Sequence, residues 1–225
     1  MSSLSVPAPA DDTTAEARLR EARLAKLERL RALGVNPYPY KYDVSARAVE
    51  LHTRHESLAP DTVTTEQVRV AGRIRALRNS GMFLDLQDVT GKLQIFCHKD
   101  FLAPDSQAVL ECLDIGDLVG VDGIVRRTKR GELTVNAATL TVLAKTLLPL
   151  PDKFHGLTDT EACYRQRYLD LIMNEDSRLV LRARSAIVRA VRDVLQDRGF
   201  LEVETPMMQA VPGGAAAKPF VTHYN

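Results

Sequence analysis

Residues 82–97, Met82-Phe-Leu-Asp-Leu-Gln-Asp-Val-Thr-Gly-Lys-Leu-Gln-Ile-Phe-Cys97, contain two short runs in which apolar and polar side chains alternate. In a β-strand the side chains repeat every two residues, so successive side chains lie on opposite faces. Gly91 interrupts the alternation between the two runs, as a turn requires. This stretch therefore predicts two consecutive strands, each with an apolar face and a polar face.

The period of two continues on both sides of this stretch, over about 67–145. An earlier strand begins at Val68 and Val70, and two later strands are predicted within 118–125 and 133–143. A short helix is predicted near 105–113. Five strands with one helix between the third and the fourth are typical of an OB-fold, a partly open Greek-key barrel. The glycines expected at the sharp bends of the closing barrel are Gly116, Gly120 and Gly123.

The segment before the barrel, residues 1–60, predicts a frayed tail, an amphipathic helix and a rigid linker. The helix is predicted over 14–33, and the prolines at 37 and 39 prevent its continuation. Its apolar side consists of Leu19, Ala22, Leu27, Leu30 and Leu33. Its other side carries Arg18, Arg20, Arg23, Lys26, Arg29 and Arg31 against Glu16, Glu21 and Glu28. That side is either a solvated face with helix-stabilising ion pairs or a surface that contacts RNA phosphates.

Pro149 and Pro151 mark a domain boundary, so we expect a barrel domain in 61–150 and the start of a further domain in 151–225. Beyond the boundary, 159–172 predicts a helix. A longer helix, capped by Asp176 or Ser177, is predicted to end at Arg198 and Gly199. Its apolar side consists of Val180, Ala183, Ile187, Ala190, Val191 and Val194. The run from Phe200 to Thr205 is strand-like and stops at Pro206.

The composition excludes several classes of protein. Apolar residues make up 45% and charged residues 26%, so neither general disorder nor a membrane protein is indicated. The N-terminus lacks the basic and apolar regions of a secretory signal. Cys97, Cys112 and Cys163 are far apart, which argues against a disulfide framework and a zinc site and favours a reducing, cytosolic compartment. Because the net charge is only +1, any basic surface for nucleic acid must be local.

Three segments, in this order and at these distances, resemble class II lysyl-tRNA synthetases. The first is the helix and its exit, Lys26-Leu-Glu-Arg-Leu-Arg-Ala-Leu-Gly-Val-Asn-Pro-Tyr-Pro39. The second is the barrel, with Phe83-Leu-Asp-Leu-Gln-Asp88 and Lys92-Leu-Gln-Ile95. The third contains Asp152-Lys-Phe-His-Gly-Leu-Thr-Asp159 and Tyr164-Arg-Gln-Arg-Tyr-Leu-Asp-Leu-Ile172, followed by Arg198-Gly-Phe-Leu-Glu-Val-Glu-Thr-Pro-Met-Met208. The last run is similar to motif 1 of the class, a long helix and a strand that ends in a proline.

Aspartyl and asparaginyl relatives share the barrel and motif 1, so the amino acid must be inferred elsewhere. The run Pro212-Gly-Gly-Ala-Ala-Ala-Lys-Pro-Phe-Val-Thr222 is similar to the Gly-Gly-Ala-x-Ala-x-Pro-Phe-x-Thr run of the lysine family. The resemblance implies a lysine–tRNA ligase that forms lysyl-adenylate from lysine and ATP, with Mg²⁺, and transfers the lysyl group to tRNA-Lys. It also implies a cytoplasmic homodimer. Motifs 2 and 3, which hold ATP in this family, would follow Asn225, so the 225 residues by themselves are expected neither to form adenylate nor to charge tRNA.

Phe83 is the first residue expected to bind RNA. In an alternating strand, Phe83, Asp85 and Gln87 share one face, and Met82, Leu84 and Leu86 share the apolar face. The ring should therefore lie outside the barrel, although a place in the core is the alternative. By resemblance, Phe83 is the ring on which an unpaired anticodon base stacks.

Other barrel residues are expected to contact the anticodon. Gln94 lies between Leu93 and Ile95, so its amide faces outward and suits the edge of a uracil. Glu132 resembles the family's anticodon-contacting glutamate, and the resemblance also implies base or phosphate contacts from Arg75 and Arg78. For Gln94 and Glu132, an ordinary polar strand residue is the alternative interpretation.

The remaining implied roles belong to the third segment. Gly199, Phe200 and Pro206 would form the motif 1 dimer segment, with packing inside the domain as the alternative. Gly214 and Ala215 would let the backbone approach the substrate lysine, unless this run is simply a glycine-rich turn. No catalytic residue and no metal ligand is assigned within the sequence.

Two other functions compete with this hypothesis. One is a stand-alone OB-type module that binds any single strand without preference for a lysine anticodon. The other is a non-catalytic, synthetase-like fragment that dimerises without chemistry.

Overall fold

The structure is a computed structural model that describes residues 12–151, 157–206, 220, 222 and 223, apart from the side chains of 12–15. It divides into two compact units, Met1–Leu150 and Pro151–Asn225. The helices are α1 (Asp12–Ala32), α2 (Ala48–Arg54), α3 (Pro104–Leu110), α4 (Thr160–Arg165), α5 (Arg167–Met173) and α6 (Glu175–Asp197). The strands are β1 (Thr62–Arg78), β2 (Phe83–Gln87), β3 (Lys92–Phe96), β4 (Leu118–Arg127) and β5 (Leu133–Ala144).

The five strands form a closed barrel in the order β1-β2-β3-β5-β4. The β3–β5 pair is parallel and the other four pairs are antiparallel. β1 pairs with both β2 and β4, and its register shifts between Ile74 and Ala76 and between Val63 and Gln67. Such irregularities increase the local bend of a strand, which lets one long strand serve both sides of the barrel. The predicted OB-type architecture, with a helix between the third and fourth strands, is confirmed.

The barrel interior is filled by the side chains that the alternation placed there. Leu84 and Ile95 are fully buried, and Leu86 and Leu93 are nearly so. Met82 differs from the prediction, because it precedes β2 and its side chain is exposed. Outward-facing positions of β2 and β3 are only partly buried. The two faces of this sheet are therefore chemically distinct.

Gly120 and Gly123 are the glycines of β4 that the packing requires. A Cβ at Gly120 would lie 2.5 Å from the Tyr42 ring, and a Cβ at Gly123 would lie 2.1 Å from the Asn136 carbonyl oxygen. Neither neighbour leaves room for a side chain. The Tyr42 ring that covers Gly120 also donates a hydrogen bond of 2.5 Å to Asp122 Oδ1, which fixes the segment between α1 and α2 to the barrel.

The buried side of α1 differs from the predicted one. Leu27 and Leu30 are buried as expected, but Leu19 and Leu33 are exposed and Arg23 takes a buried position instead. The Arg23 guanidinium donates to the carbonyl oxygens of Thr146 and Leu148 at 3.1 and 2.9 Å. It donates also to the carbonyl of Ile115 at 3.1 Å. Carbonyls that no strand or helix satisfies explain why a charged side chain is buried here.

Buried ionic contacts continue beside α1. Lys145, whose side chain is completely buried, pairs with Asp114 and, at 2.8 Å, with the equally buried Asp117. Lys26 of α1 pairs with Asp114 at 2.6 Å. Burial raises the pKa of Asp114, but the hydrogen bonds from Lys145 and Lys26 outweigh it, so the pKa lies below its ordinary value. The basic side of α1 is thus partly a docking surface for the barrel rather than a solvated face.

The second unit consists of helices, with two departures from prediction. The helix predicted over 159–172 is broken at Gln166 into α4 and α5, and Asp159 caps α4 by accepting from the backbone N–H groups of Glu161 and Ala162. α6 begins at Glu175, with Asn174 at the N-cap, so the expected cap at Asp176 or Ser177 is wrong. The Ser177 hydroxyl instead donates to Asp170 Oδ1 at 2.9 Å.

The expected strand after α6 is also absent. Residues 200–206 have no regular secondary structure, because no described segment pairs with them. The apolar side of α6 is formed as predicted, but each of its large members, Val180, Ile187, Val191 and Val194, is between 48% and 64% exposed. Among the described helices, none is long and apolar enough to cross a membrane.

Candidate nucleic-acid interface

Phe83 begins β2 on the outward face of the barrel. Its neighbour Leu84 is completely buried, whereas the Phe83 ring is partly exposed. The strand register places Arg78 of β1 and Phe96 of β3 directly opposite Phe83. Residues directly opposite each other project from the same face of a sheet. The two phenyl rings are 5.0 Å apart between centroids and inclined by 40°.

Gln94 lies one row along the same face. It is opposite Asp85 of β2 and beside Thr134 of β5, and it is partly exposed as the alternation predicts. Glu132 immediately precedes β5 and is exposed. It stands two residues before Thr134, the neighbour of Gln94. Phe83 and Gln94 therefore lie on the outward face of the neighbouring strands β2 and β3, and Glu132 is exposed just before β5, the strand that pairs with β3.

The three arginines of β1 have different environments. Arg73 is half-buried and donates to the carbonyl of Gly116 at 2.7 Å, and burial lowers the pKa of its guanidinium. Arg78 is exposed and pairs with Asp85 beside Phe83. Arg75 stands at the register irregularity between Ile74 and Ala76 and is partly exposed. Of the three, Arg78 is the one that the register places next to the ring of Phe83.

Sequence reasoning missed several residues on this surface. Phe96 is followed by His98, whose ring is nearly parallel to it at a centroid distance of 5.5 Å and an angle of 17°. Phe101 follows at 6.1 Å from His98 and is 56% exposed. Arg126 of β4 lies over the Phe96 ring, 4.6 Å from its centroid. The signal for two of them was present, because Gln94, Phe96 and His98 continue the outward alternation past Ile95 and Cys97.

The residues expected in the motif 1 segment are described only in part. Gly199 follows the C-cap residue of α6 with a φ of +83°, a left-handed conformation that favours glycine, and its N–H donates to the Gln196 carbonyl oxygen at 2.9 Å. Phe200 is 64% exposed and Pro206 is exposed. Gly214 and Ala215, expected near the lysine, lie outside the described residues.

No metal site is formed by the part of the chain that the structure describes, since no group of three His, Cys, Asp or Glu side chains could hold an ion there. The three cysteines are free thiols. Cys97 is buried, and burial raises its pKa to about 12, so this thiol is protonated and unreactive at neutral pH. The chemistry that this surface offers is aromatic stacking, amide hydrogen bonding and guanidinium contacts, which are the means of recognising unpaired bases.

Comparison with protein families separates the same two parts of the chain. Residues 68–143 match the OB-fold nucleic acid binding domain, which covers β1 from Val68 through almost all of β5. Residues 159–225 match the class II tRNA synthetases of the D, K and N group. The barrel with its outward aromatic surface thus coincides with a nucleic-acid-binding family, and the helical unit with a synthetase family.

Individual relatives extend over both parts. A lysine–tRNA ligase of Sinorhizobium medicae is 50% identical over 205 residues, which is 91% of this chain and 41% of that protein. The lysine–tRNA ligase of Rhizobium etli is 50% identical over 214 residues, 95% of this chain and 43% of its own length. The lysine–tRNA ligase of Carboxydothermus hydrogenoformans is 47% identical over 209 residues, which is 92% of this chain and 42% of that protein. The chain spans about two fifths of the length of these relatives. Its sequence is therefore similar to the N-terminal part of these lysine–tRNA ligases, and it joins a region that matches an OB-fold domain to one that matches the class II synthetases.

Proposed function

We propose that this chain is the anticodon-reading part of a lysine–tRNA ligase. The complete enzyme would form lysyl-adenylate from lysine and ATP with Mg²⁺ and transfer the lysyl group to tRNA-Lys in the cytoplasm. The barrel would bind the anticodon loop of that tRNA. The observation that carries this proposal is the Phe83 ring, which lies outside the barrel while its neighbour Leu84 is buried within it.

The surroundings of Phe83 support base recognition rather than packing. An unpaired base presents a flat face, and stacking on an aromatic side chain contributes roughly 1–3 kcal/mol. Gln94 stands one row away and can donate and accept at once, as the edge of a uracil requires. Arg78 would contact a base edge or a phosphate after exchanging its pair with Asp85.

Glu132 and Arg75 are proposed to complete this surface. The Glu132 carboxylate is exposed at the start of β5, where it would accept from a base N–H. A carboxylate repels phosphates, so its value to RNA binding lies in selecting a base rather than in affinity. Arg75, partly exposed on β1, would contribute a phosphate contact. The proposed roles divide recognition between stacking, base edges and the backbone.

The second unit is proposed to contribute to a homodimer and to the catalytic domain of the complete enzyme. Its helix α6 exposes Val180, Ile187 and Val191 on one side, and Phe200 is exposed just beyond its end. Large exposed apolar patches are typical of interaction surfaces. Gly199 would turn the chain into motif 1, which ends at Pro206, and Gly214 with Ala215 would approach the lysine substrate.

The test compares two synthetic RNA hairpins with the 225-residue chain by fluorescence anisotropy. One hairpin carries the lysine anticodon loop and the other differs from it only in the loop bases. We expect tighter binding of the lysine hairpin. Phe83→Leu should weaken that binding by about 1–3 kcal/mol, or roughly 5–150-fold.

Tyr40→Leu is the matched control, because Tyr40 is a fully exposed aromatic residue in the segment between α1 and α2. This variant should bind as the unaltered chain does. Equal affinity for both hairpins would identify a non-selective single-strand binder and contradict the proposal. An unaltered affinity of Phe83→Leu would remove the role of the ring.

A further inference from the structure

The last residues of the first unit, 145–150, leave β5 without forming regular secondary structure. We call them the exit segment, because they lead from the barrel to residue 151, where the second unit begins. Backbone groups outside helices and sheets need partners from side chains, turns or water. The rigidity of the exit segment therefore depends on the groups that bind it.

A loop of the barrel holds the beginning of the exit segment. The completely buried Asp117 accepts from the Lys145 ammonium and from the Thr146 N–H, each at 2.8 Å. The Thr146 hydroxyl donates to the Gly116 carbonyl oxygen, also at 2.8 Å. The loop is itself fixed to β1, since the Ile74 N–H donates to the Asp117 carbonyl oxygen at 2.9 Å. These contacts do not involve α1, so Lys145 and Thr146 are attached independently of that helix.

Helix α1 extends the attachment further along the exit segment. Nη1 of Arg23 spans two carbonyl oxygens of the segment, donating to Thr146 at 3.1 Å and to Leu148 at 2.9 Å. Nη2 donates to the Ile115 carbonyl oxygen of the barrel loop at 3.1 Å. Because the guanidinium is planar and holds its donors in a rigid fork, it keeps these three carbonyls at a fixed spacing. Arg23 thereby ties the chain beyond Thr146 to the barrel loop.

Arg23 has a different task from the apolar residues of α1. Leu27 and Leu30 lie one and two turns later on the same side of the helix, and both are buried against the first unit. Lys26 adds an ion pair with Asp114 at 2.6 Å. These residues attach the helix itself. Arg23 is only 9% exposed, and burying a guanidinium is unfavourable unless its donors are satisfied, which the three carbonyl oxygens achieve.

We propose that α1 is a clasp for the exit segment and that Arg23 is its positioning residue. With Arg23 in place, the chain leaves the barrel in one fixed direction as far as Leu148. Without the guanidinium, the exit segment becomes mobile beyond Thr146 while the barrel and its outward aromatic surface stay folded. The clasp thus controls how stiffly the barrel is joined to the chain that follows it, a role separate from contact with RNA.

The test measures backbone order in the 225-residue chain by NMR relaxation of its amides. In the unaltered chain, Leu147 and Leu148 should have order parameters of about 0.85, typical of a rigid backbone. Arg23→Met keeps an apolar stem of similar length and removes the guanidinium. Its order parameters at Leu147 and Leu148 should fall below about 0.6, while those of Thr146, β2 and β3 stay unaltered. Arg23→Lys should give intermediate values, because an ammonium lacks the fork that spans the carbonyls.

Arg20→Met is the matched control, because Arg20 is exposed on the same helix. Its order parameters should equal those of the unaltered chain throughout the exit segment. If Arg23→Met lowers the urea midpoint but leaves Leu147 and Leu148 as rigid as before, Arg23 only stabilises the fold and the clasp is refuted. A loss of order in β2 and β3 together with the exit segment would refute it as well.

The two hairpins used for the proposed function give an independent readout. Arg23→Met should bind the lysine hairpin as tightly as the unaltered chain does, since the exit segment takes no part in base recognition. A weakened affinity would contradict the separation of the two roles. If both hairpins bind the unaltered chain equally, the proposed function fails, whereas the order parameters still decide whether the clasp exists.

Discussion

The two units of this chain use the same kind of sequence pattern with opposite results. In the first unit, the apolar positions of the barrel strands meet one another, and every member of the buried hydrophobic cluster lies there. In the second unit, α6 has an apolar side of comparable regularity, yet Val180, Ile187 and Val191 are largely exposed. A periodic pattern thus determines which side chains share a face, but a second surface is needed to bury them.

The barrel supplies that second surface from within itself. Each of its five strands hydrogen-bonds to two neighbouring strands, and β1 closes the barrel by pairing with both β2 and β4. The described contacts of the second unit are mostly local, such as those of Asp170 with Arg167, Asn174 and Ser177. We therefore expect substitutions in the first unit to change the free energy of unfolding far more than equivalent substitutions in the second.

The largest expected contrast concerns ion pairs. Lys145→Met should lower the free energy of unfolding of the first unit by about 3–5 kcal/mol, because it leaves the buried Asp117 without its cation. Arg192→Met is its counterpart in the second unit, where the pair with Glu202 is more than half exposed on both sides. That variant should cost less than about 1 kcal/mol. Urea titration followed by far-UV circular dichroism measures both, and equal losses would contradict the contrast.

A smaller contrast is expected for apolar side chains. Leu84→Ala should destabilise the barrel by about 2–5 kcal/mol, because Leu84 is completely buried and its removal leaves a cavity. Val191→Ala, on the exposed side of α6, should change stability by less than about 0.5 kcal/mol. Hydrogen exchange of the β2 and β3 amides reports the first effect directly. If Val191→Ala proved as damaging as Leu84→Ala, a partner surface would already cover α6 in solution.

The smallest expected effect is a pH dependence of the first unit. The pKa values of Asp114 and Asp122 lie below their ordinary value, because hydrogen bonds from Lys145 and Lys26, and from Tyr42, Thr139 and Arg69, outweigh burial. An aspartate whose pKa is lower in the folded state than in the unfolded state stabilises the folded state. This stabilisation is complete at pH values above the unfolded pKa of 3.8, and it is lost as the pH falls below that value.

The urea midpoint of the barrel should accordingly fall as the pH drops below about 4. Asp114→Asn should lower the midpoint at neutral pH and flatten its decline in acid. Glu28→Gln, an exposed carboxylate of α1, serves as the control and should follow the unaltered chain. If the urea midpoint of Asp114→Asn falls in acid as steeply as that of the unaltered chain, Asp114 is not the source of the pH dependence.

The sequence was sufficient to predict the features that depend on neighbours in the chain. Alternation correctly placed Leu84 and Ile95 inside and Phe83 and Gln94 outside, because strand side chains must alternate whatever they pair with. The fold followed from five such runs and one helix. The interior was thus predictable from local pattern.

Features that depend on distant partners were not predictable in this way. The sequence places Arg23 on the polar side of α1, to be either solvated or in contact with RNA phosphates, but the carbonyls that it binds lie more than 90 residues further along the chain. The strand expected after Phe200 needs a partner strand, which no local pattern can guarantee. Arg126 was overlooked because its position over Phe96 results from the pairing of strands that are not adjacent in sequence.

The attachment of Arg23 also bears on how the chain is made. Its guanidinium binds carbonyls 123 and 125 positions later, so α1 cannot complete these contacts until Leu148, beyond the last barrel strand, has been synthesised. At about 5–20 residues per second this interval lasts roughly 6–25 s. Until then the Arg23 guanidinium lacks these two acceptors, so α1 reaches its final attachment only at the end of barrel synthesis.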